Sequence, residues 1–347
     1  MRKIAVFPLN NNTYAIQQVL LKSKQNDFVG FLTDTTPTTE VKLMAESLGI
    51  TSLRLIDKKE FITKNVETLL IIDDQGYDET IVSNLVSEVN SLGREAKVVP
   101  FLQEKYNLRN TEQISSIDSE MIDEVLSTIP LISIMGVGEN TYKLETQLYI
   151  DNLFADYKVL NITPKGCSID TKFVPIPREL YYETASLSTK IQLFKMYISK
   201  ILIKHDYDLI TLAIPGSITP HDTYFNELAL VISSAMSIDI NIVNIYSNFD
   251  NKYDILKFLD HMCKYKYNSD LNLFNIVPLC ARYGEDVLGN LQDFYYIDIE
   301  TQNSILRRSI NNLKNYDYHI FTLNRDILKT PSKEFFLDIL TDNLEIL

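Results

Sequence analysis

The chain is poor in cysteine, in long apolar runs and in concentrated positive charge, and each shortage closes off a class of function. Its three cysteines, Cys167, Cys263 and Cys280, are an odd and sparse set in 347 residues. They fit free thiols in a reducing cytoplasm better than a disulfide framework. No apolar run reaches the ~18–20 residues needed to cross a bilayer, so no membrane partner is expected. Residues 1–8 have too short an apolar part for a secretory signal and predict a first strand instead. Lys and Arg number 33 against 46 Asp and Glu, a formal charge of −13. A surface that acidic repels a phosphate backbone, and no basic patch stands out to reverse the effect, so no nucleic acid is expected either. What remains is a soluble, cytoplasmic protein with a normal globular balance, 45% hydrophobic and 23% charged. Its length predicts two domains at ~150 residues each.

Residues 1–105 alternate short apolar runs with amphipathic stretches. Strands are predicted at 4–8, 28–32, 51–56, 68–72 and 96–101, and helices at 13–24, 37–48 and 78–92. Pro37 opens one helix and Gly49 stands just past its end, the favoured order of the two residues. Continuous apolar strands between helices predict a parallel sheet covered on both faces, in an N-terminal Rossmann-like or flavodoxin-like α/β domain. The first strand-to-helix turn, Pro8-Leu9-Asn10-Asn11-Asn12-Thr13, has no glycine to admit a pyrophosphate, so no dinucleotide cofactor is expected there.

Residues 110–142 hold six acids and no Lys or Arg. Overlapping them, 106–129 read as a solvated acidic linker with one short helix. From 130 to 347 the αβ rhythm restarts. Strands are predicted at 130–135, 158–162, 208–214, 240–245, 274–279, 294–299 and 319–323. Helices are predicted at 141–154, 184–204, 222–236 and 254–266, with a terminal helix from Thr330-Pro331. The two halves share a type of architecture without a sequence repeat.

The most informative segment is Met135-Gly136-Val137-Gly138-Glu139-Asn140-Thr141-Tyr142-Lys143-Leu144. A strand ends in a Gly-x-Gly turn, and a helix begins with a lysine on its first turn, the layout of a phosphate-binding loop. The Gly136-to-Lys143 spacing of seven is one longer than in the commonest Walker A pattern. It resembles the longer loop of the dethiobiotin-synthetase-like P-loop proteins and implies a degenerate P-loop-NTPase-like α/β domain. Tyr142 stands where the last glycine belongs, and Leu144 where the Mg²⁺-binding hydroxyl belongs. The strand at 208–214 is placed to carry a metal-binding acid at its end, and offers Ile214 and Pro215. Without both groups the Mg²⁺ of phosphoryl transfer has no obvious ligands. No catalytic residue, metal ligand or cofactor is therefore expected. An ordinary turn whose glycines merely permit tight geometry stands as the alternative to a phosphate cradle.

In a doubly wound sheet this loop meets the Gly216-Ser217-Ile218-Thr219-Pro220-His221 turn at the carboxyl ends of the strands. That converges Gly136, Gly138, Lys143, Gly216, Ser217, Thr219 and His221 on one crevice for a small anion. Alternatively Asp222 caps a helix and His221 is solvated. His261 and Cys263, two apart on a helix, diverge and would not share a metal with Cys280, so they read as a buried thiol beside a partly exposed histidine. Cys167 sits in a loop two residues after Lys165, which favours a lowered thiol pKa, but no histidine is near in sequence to act as its base. The paired tyrosines among the chain's 20 read as half-buried strand or helix positions.

Three stretches together resemble the peptide-maturation-system proteins, which are encoded beside radical-SAM maturases and small Cys-rich or bacteriocin-like precursor peptides. They are Met135-Gly136-Val137-Gly138 with Lys143-Leu144-Glu145-Thr146-Gln147-Leu148, then Ala213-Ile214-Pro215-Gly216-Ser217-Ile218-Thr219-Pro220, and Ser247-Asn248 with Cys263-Lys264-Tyr265-Lys266-Tyr267. The resemblance implies a pathway more than a reaction, and carries over no catalytic residue. Its expected partners are a radical-SAM maturase or a precursor peptide. The expected function is a non-hydrolytic accessory or binding protein in ribosomal peptide (natural product) maturation. A P-loop-derived enzyme that binds nucleotide in an atypical way is the alternative.

Overall fold

The computed structural model describes residues 1–11, 13–22, 26–33, 35–72, 79–99, 119–138, 141–164, 173–177, 179–182, 185–219, 223–248, 255–270, 272–283, 291–313, 318–323 and 327–344. The chain divides into two compact units, residues 1–114 with 165–175, and residues 115–164 with 176–347. More than half of the predicted acidic linker, residues 106–118, lies outside the described residues.

The first unit carries β1 (Arg2–Phe7), α1 (Ile16–Lys22), β2 (Asn26–Leu32), α2 (Thr39–Ser47), β3 (Leu55–Ile56), α3 (Lys58–Thr63), β4 (Thr68–Ile71), α4 (Glu79–Ser91) and β5 (Glu95–Val98). All its strands are parallel, in the order β3-β2-β1-β4-β5. That is the Rossmann order without a sixth strand. The glycine-free first turn is closed by side chains. Thr13 Oγ1 donates to the Pro8 carbonyl at 2.6 Å and accepts from the Asn10 N–H at 2.9 Å. This turn holds residues that periodicity assigns to the helix, so α1 begins at Ile16 and not at Thr13. Thr38 caps α2 by accepting from the Val41 N–H. The short α3, which the apolar pattern does not reveal, is fixed by a reciprocal capping box between Asp57 and Glu60.

The second unit begins with α5 (Ser119–Ser127), β6 (Leu131–Gly136), α6 (Lys143–Leu153) and β7 (Val159–Thr163). There follow β8 (Phe173–Pro175), α7 (Glu179–Tyr182), α8 (Leu187–Lys204), β9 (Leu209–Ala213) and α9 (Thr223–Ala235). The rest is β10 (Ile240–Tyr246), α10 (Ile255–Tyr267), β11 (Asn272–Val277), β12 (Leu279–Tyr283), β13 (Leu291–Tyr296), α11 (Ile299–Leu313), β14 (Ile320–Phe321) and α12 (Lys333–Leu344). A seven-stranded sheet runs β14-β11-β10-β6-β9-β7-β8, with β6 between β9 and β10. Ile132, Ile134, Ile150, Phe154, Ile242, Leu273 and Phe336 form part of its core.

Two expected strands are corrected. The run 274–279 does not continue as one strand: β11 stops at Val277, Pro278 has no N–H to give a ladder, and Leu279 opens a second strand. That strand, β12, makes an antiparallel hairpin with β13. The expected strand 294–299 ends early at Tyr296, and Ile299 starts α11, a helix the apolar pattern does not show. Its start is marked by Asp298, which accepts from the Thr301 N–H at 2.7 Å. Its inward face is thin, with Gln302 and Leu306 each 1% exposed.

The strands of the second sheet are less apolar inside than their sequences suggest. Ser133, Asn241 and Asn272 lie in register across β6, β10 and β11. Ser133 Oγ donates to Asn241 Oδ1 at 2.6 Å, and Asn241 Nδ2 donates to Asn272 Oδ1 at 3.0 Å. Three positions on, Gly136, Asn244 and Asn275 are again in register. Because successive strand residues alternate in direction, these two rows face opposite sides of the sheet. Each reaches a helix: Asn272 Nδ2 donates to Asp260 of α10 at 2.7 Å, and Asn275 Nδ2 to Thr146 Oγ1 of α6 at 3.1 Å.

Candidate functional site

The site begins where β6 runs out. Gly136 is its last residue, and a Cβ there would stand 2.0 Å from Thr141 Oγ1. A Cβ on Gly138 would stand 2.1 Å from the Tyr246 hydroxyl. Both glycines are therefore required by close approach within the loop and to β10. Glu139 and Asn140 lie outside the described residues. The chain re-enters at Thr141, whose hydroxyl donates back to the Gly138 carbonyl at 2.9 Å.

Tyr142 then takes φ 55° and ψ 32°, the left-handed region, as the residue preceding α6. A tyrosine thus holds the backbone shape that a glycine would take at least cost. Its ring is buried, edge-on to Tyr296 with centroids 6.4 Å apart. The position before the helix keeps a left-handed backbone, and its side chain is an aromatic ring packed against Tyr296.

Lys143 opens α6 and is 7% exposed. Its Nζ donates to the carbonyls of Gly138 at 2.9 Å and Gly216 at 2.7 Å. Gly216 has φ 69°, which carries the chain sharply away from the end of β9. Ser217 Oγ donates to the Val137 carbonyl at 2.8 Å, and the Ile218 N–H donates to Gly136 O at 2.9 Å. With its proton spent on Val137, the Ser217 oxygen accepts from both the N–H and the hydroxyl of Thr219, at 3.1 and 2.8 Å. The two turns are thus laced together. Gly136, Gly138, Lys143, Gly216, Ser217 and Thr219 meet in one cluster, while His221 lies outside the described residues.

Asn244 and its neighbours hold this cluster from below, a contribution that the apolar reading of β10 conceals. Asn244 Nδ2 donates to the Thr141 carbonyl at 2.6 Å, and the Val137 N–H donates to Asn244 O at 3.1 Å. One residue so grips both limbs of the loop. Thr146 Oγ1 donates to the Tyr142 carbonyl at 2.9 Å and accepts from the amides of Asn244 and Asn275. On the β9 side, Gln147 Nε2 reaches the Ile162 carbonyl at 3.0 Å and Thr211 Oγ1 at 2.9 Å.

The chemistry available is that of a small polar cradle with one buried cation. Leu144 supplies no hydroxyl, and the residue after β9, Ile214, is 1% exposed and apolar. Glu145, 4% exposed, lies in the first turn of α6, where a carboxylate complements the helix dipole.

The two described thiols, Cys263 and Cys280, are buried. Burial, with the charge of Asp260 adding to it, pushes Cys263 up to about 12. Burial also raises Cys280. Neither forms a thiolate at neutral pH. His261 is exposed on α10 while Cys263 is buried. Among the described residues, no group of three or more His, Cys, Asp or Glu is placed to hold a metal. Cys167 lies outside the described residues.

Neither a protein-family model nor a curated protein sequence matches the chain. Among solved structures, it is similar to a DUF1611 family protein from Anabaena variabilis. The TM-score is 0.53 at 10% identity, covering 99% of this chain and 100% of that one. The likeness is one of fold, over the whole length. A cobyrinic acid a,c-diamide synthase from Mycobacterium smegmatis, with bound ADP and magnesium, matches 63% of this chain and 94% of its own at TM-score 0.33 and 12% identity. The architecture is α/β, with a five-stranded sheet in Rossmann order in the first unit and a seven-stranded sheet in the second. No helix among the described residues is long and apolar enough to cross a membrane.

Proposed function

We propose that this protein is a non-hydrolytic accessory protein of ribosomal peptide maturation, which binds a partner enzyme, a precursor peptide or a small anion. The anion site is the cluster of Gly136, Gly138, Lys143, Gly216, Ser217 and Thr219; His221, expected there from the sequence, lies outside the described residues. One observation carries the reading: the Lys143 ammonium bridges the carbonyls of Gly138 and Gly216, so a full positive charge sits where two turns and a helix N-terminus meet. The apolar Leu144 and Ile214 leave Mg²⁺ without its two usual protein groups, which supports binding without hydrolysis. The maturation pathway rests on the resemblance to peptide-maturation-system proteins, and a cytoplasmic setting on the sparse, odd set of cysteines. The net charge of −13 suits a basic partner and acts on its rate of encounter.

The test is calorimetric titration with inorganic phosphate, ATP, GTP and S-adenosylmethionine in parallel, beside pull-down with a radical-SAM maturase and a precursor peptide. Phosphate binding lost in Lys143→Ala, retention of the maturase or peptide, and no Mg²⁺-dependent hydrolysis are expected. ATP or GTP turnover that disappears in Lys143→Ala would replace this reading with an atypical nucleotide enzyme.

A further inference from the structure

A cavity of about 210 Å³ opens in the first unit, between the turn after β1 and the connection from β2 to α2. Asn10 and Asn11 stand on one wall, Thr33, Thr36 and Thr38 on the other, with Glu40 of α2 beside them. Because β1 and β2 are adjacent and parallel, the cavity lies outside the carboxyl ends of two neighbouring strands. That is the edge where open α/β sheets bind ligands. Each wall is held by bonds of its own. The Asn10 carbonyl accepts from the Thr13 and Tyr14 N–H groups at 3.2 and 3.3 Å. The Thr33 N–H donates to the Ile56 carbonyl at 3.0 Å, and Thr33 Oγ1 accepts from the Thr35 N–H at 3.1 Å. Asn11 Nδ2 spans the gap to Glu40 Oε2 at 3.2 Å.

The lining discriminates among ligands by chemistry. Among the described residues that line the cavity, Glu40 is the sole charged one. A phosphate or carboxylate would meet that acid with no cation to offset it. An ammonium would suit Glu40, but it would set the amide and hydroxyl donors against a group that cannot accept. Ligand hydroxyls answer both needs, since each donates one bond and accepts two. The protein side has matching capacity. Thr38 Oγ1 accepts from the Val41 N–H and keeps its proton, Asn11 Nδ2 has a second N–H, and a carboxylate offers about four acceptor sites. Leu9 and Pro37 supply an apolar surface for the C–H face of a ring. At about 30 Å³ per molecule the space holds about seven waters, which suits one sugar ring and is too small for a whole nucleotide.

We propose that this cavity binds a sugar ring through its hydroxyl groups. Glu40 and Asn11 take a vicinal diol, and Thr36 and Thr38 take the hydroxyls next to it. The absence of glycine from the turn after β1, which closes it to a pyrophosphate, is what places two asparagine amides there instead. The proposal uses no residue of the Lys143 cluster and stands or falls apart from it.

The probes are D-ribose, D-glucose and adenosine, each titrated onto the full chain and read by saturation-transfer NMR. Saturable binding of at least one is expected, with a dissociation constant of about 1–10 mM, as suits a ligand of about a dozen non-hydrogen atoms. Binding of D-ribose or D-glucose marks a free sugar as the ligand, and binding of adenosine alone marks the ribose of a nucleoside. Glu40→Ala with Asn11→Ala should weaken binding about tenfold or more, since it removes a charged acceptor and the amide bonded to it. Glu40 is exposed and Asn11 half-buried, so this variant should melt like the parent. Should it fail to fold, Thr36→Val at an exposed position takes its place, with an expected loss of about threefold. Absence of saturable binding by all three probes, or equal affinity in parent and variant, overturns the proposal. Tighter binding of inorganic phosphate or of spermidine that the Glu40 and Asn11 variant abolishes overturns the choice of ligand.

Discussion

Lys143 Nζ donates to the Gly216 carbonyl at 2.7 Å, across 73 positions of sequence. The bond ties the turn after β9 to the helix that follows β6, so the lysine belongs to two loops at once. An incoming anion would compete with two carbonyl oxygens for one ammonium, which favours a compact, multiply charged group over a weakly charged one.

Replacing Lys143 should therefore register in stability as well as in binding. Lys143→Met keeps most of the buried stem and removes two charge-assisted bonds, with an expected loss of about 1–3 kcal/mol. Urea unfolding measures it. A stability equal to the parent's would mean that the lysine does not hold the two turns together.

Gly138 should tolerate no side chain while Tyr246 keeps its hydroxyl. Gly138→Ala sets a Cβ 2.1 Å from that oxygen, a clash expected to cost about 1–3 kcal/mol. Tyr246→Phe in the same chain should recover more than half of the loss. Thermal melts of the parent, two single variants and the double variant give the coupling directly. Strict additivity would remove the contact from the explanation.

Asn244→Ala should be among the most damaging single changes in the second unit. It removes donors to Thr141 O and Thr146 Oγ1 and the acceptor of the Asn275 amide. About 2–4 kcal/mol is expected from the polar groups left buried. Proteolysis focused on the loop at 136–143 would accompany it, because the Thr141 limb loses its side-chain anchor while the Val137 N–H keeps the backbone carbonyl of residue 244.

Stability should fall on mild acidification through His319. Burial, with Lys329 adding to it, holds this imidazole below its ordinary 6.5. Its ring stacks on Phe335 with centroids 4.4 Å apart, and Nε2 is buried without a hydrogen-bond partner. Below pH 6.5 the unfolded chain binds a proton that the folded chain resists, so the contribution is full above that value and is lost as pH falls through the lowered one. Urea midpoints at about pH 7.5 and 5.5 should diverge less in His319→Phe than in the parent. An equal drop in both chains would assign the acid sensitivity elsewhere.

The sequence makes the strands legible where burial is complete on both faces, since such strands are apolar nearly throughout. It places β6, β9 and β10 within a residue or two. The same logic hides α11, because the residues it buries are a glutamine and a leucine, and the Gln302 amide is satisfied by the Ile276 carbonyl at 3.0 Å. It also runs β11 through Pro278, whose missing N–H is a better signal than the apolar run around it. Gly136, Gly138 and Lys143 are readable from their spacing alone. Asn244, Thr146 and Asn275 are not, because an amide inside an apolar strand looks like an interruption until its partners on neighbouring strands are known. Tyr142 misleads in the other direction: it reads as the loss of a glycine, yet its backbone keeps the left-handed turn.

The two polar rows of the second sheet bear on how the chain avoids folding wrongly. Valine and isoleucine ladders are nearly interchangeable, so a strand that slides past its neighbour loses little selectivity along an apolar seam. Here a one-residue slip of β10 would turn Asn241 and Asn244 to the opposite faces and strand their amides against hydrocarbon. The penalty would arise on both faces simultaneously, and from α6 as well, through Thr146. The asparagines work as an address code for strand pairing: a misaligned strand is penalised by amides left without partners.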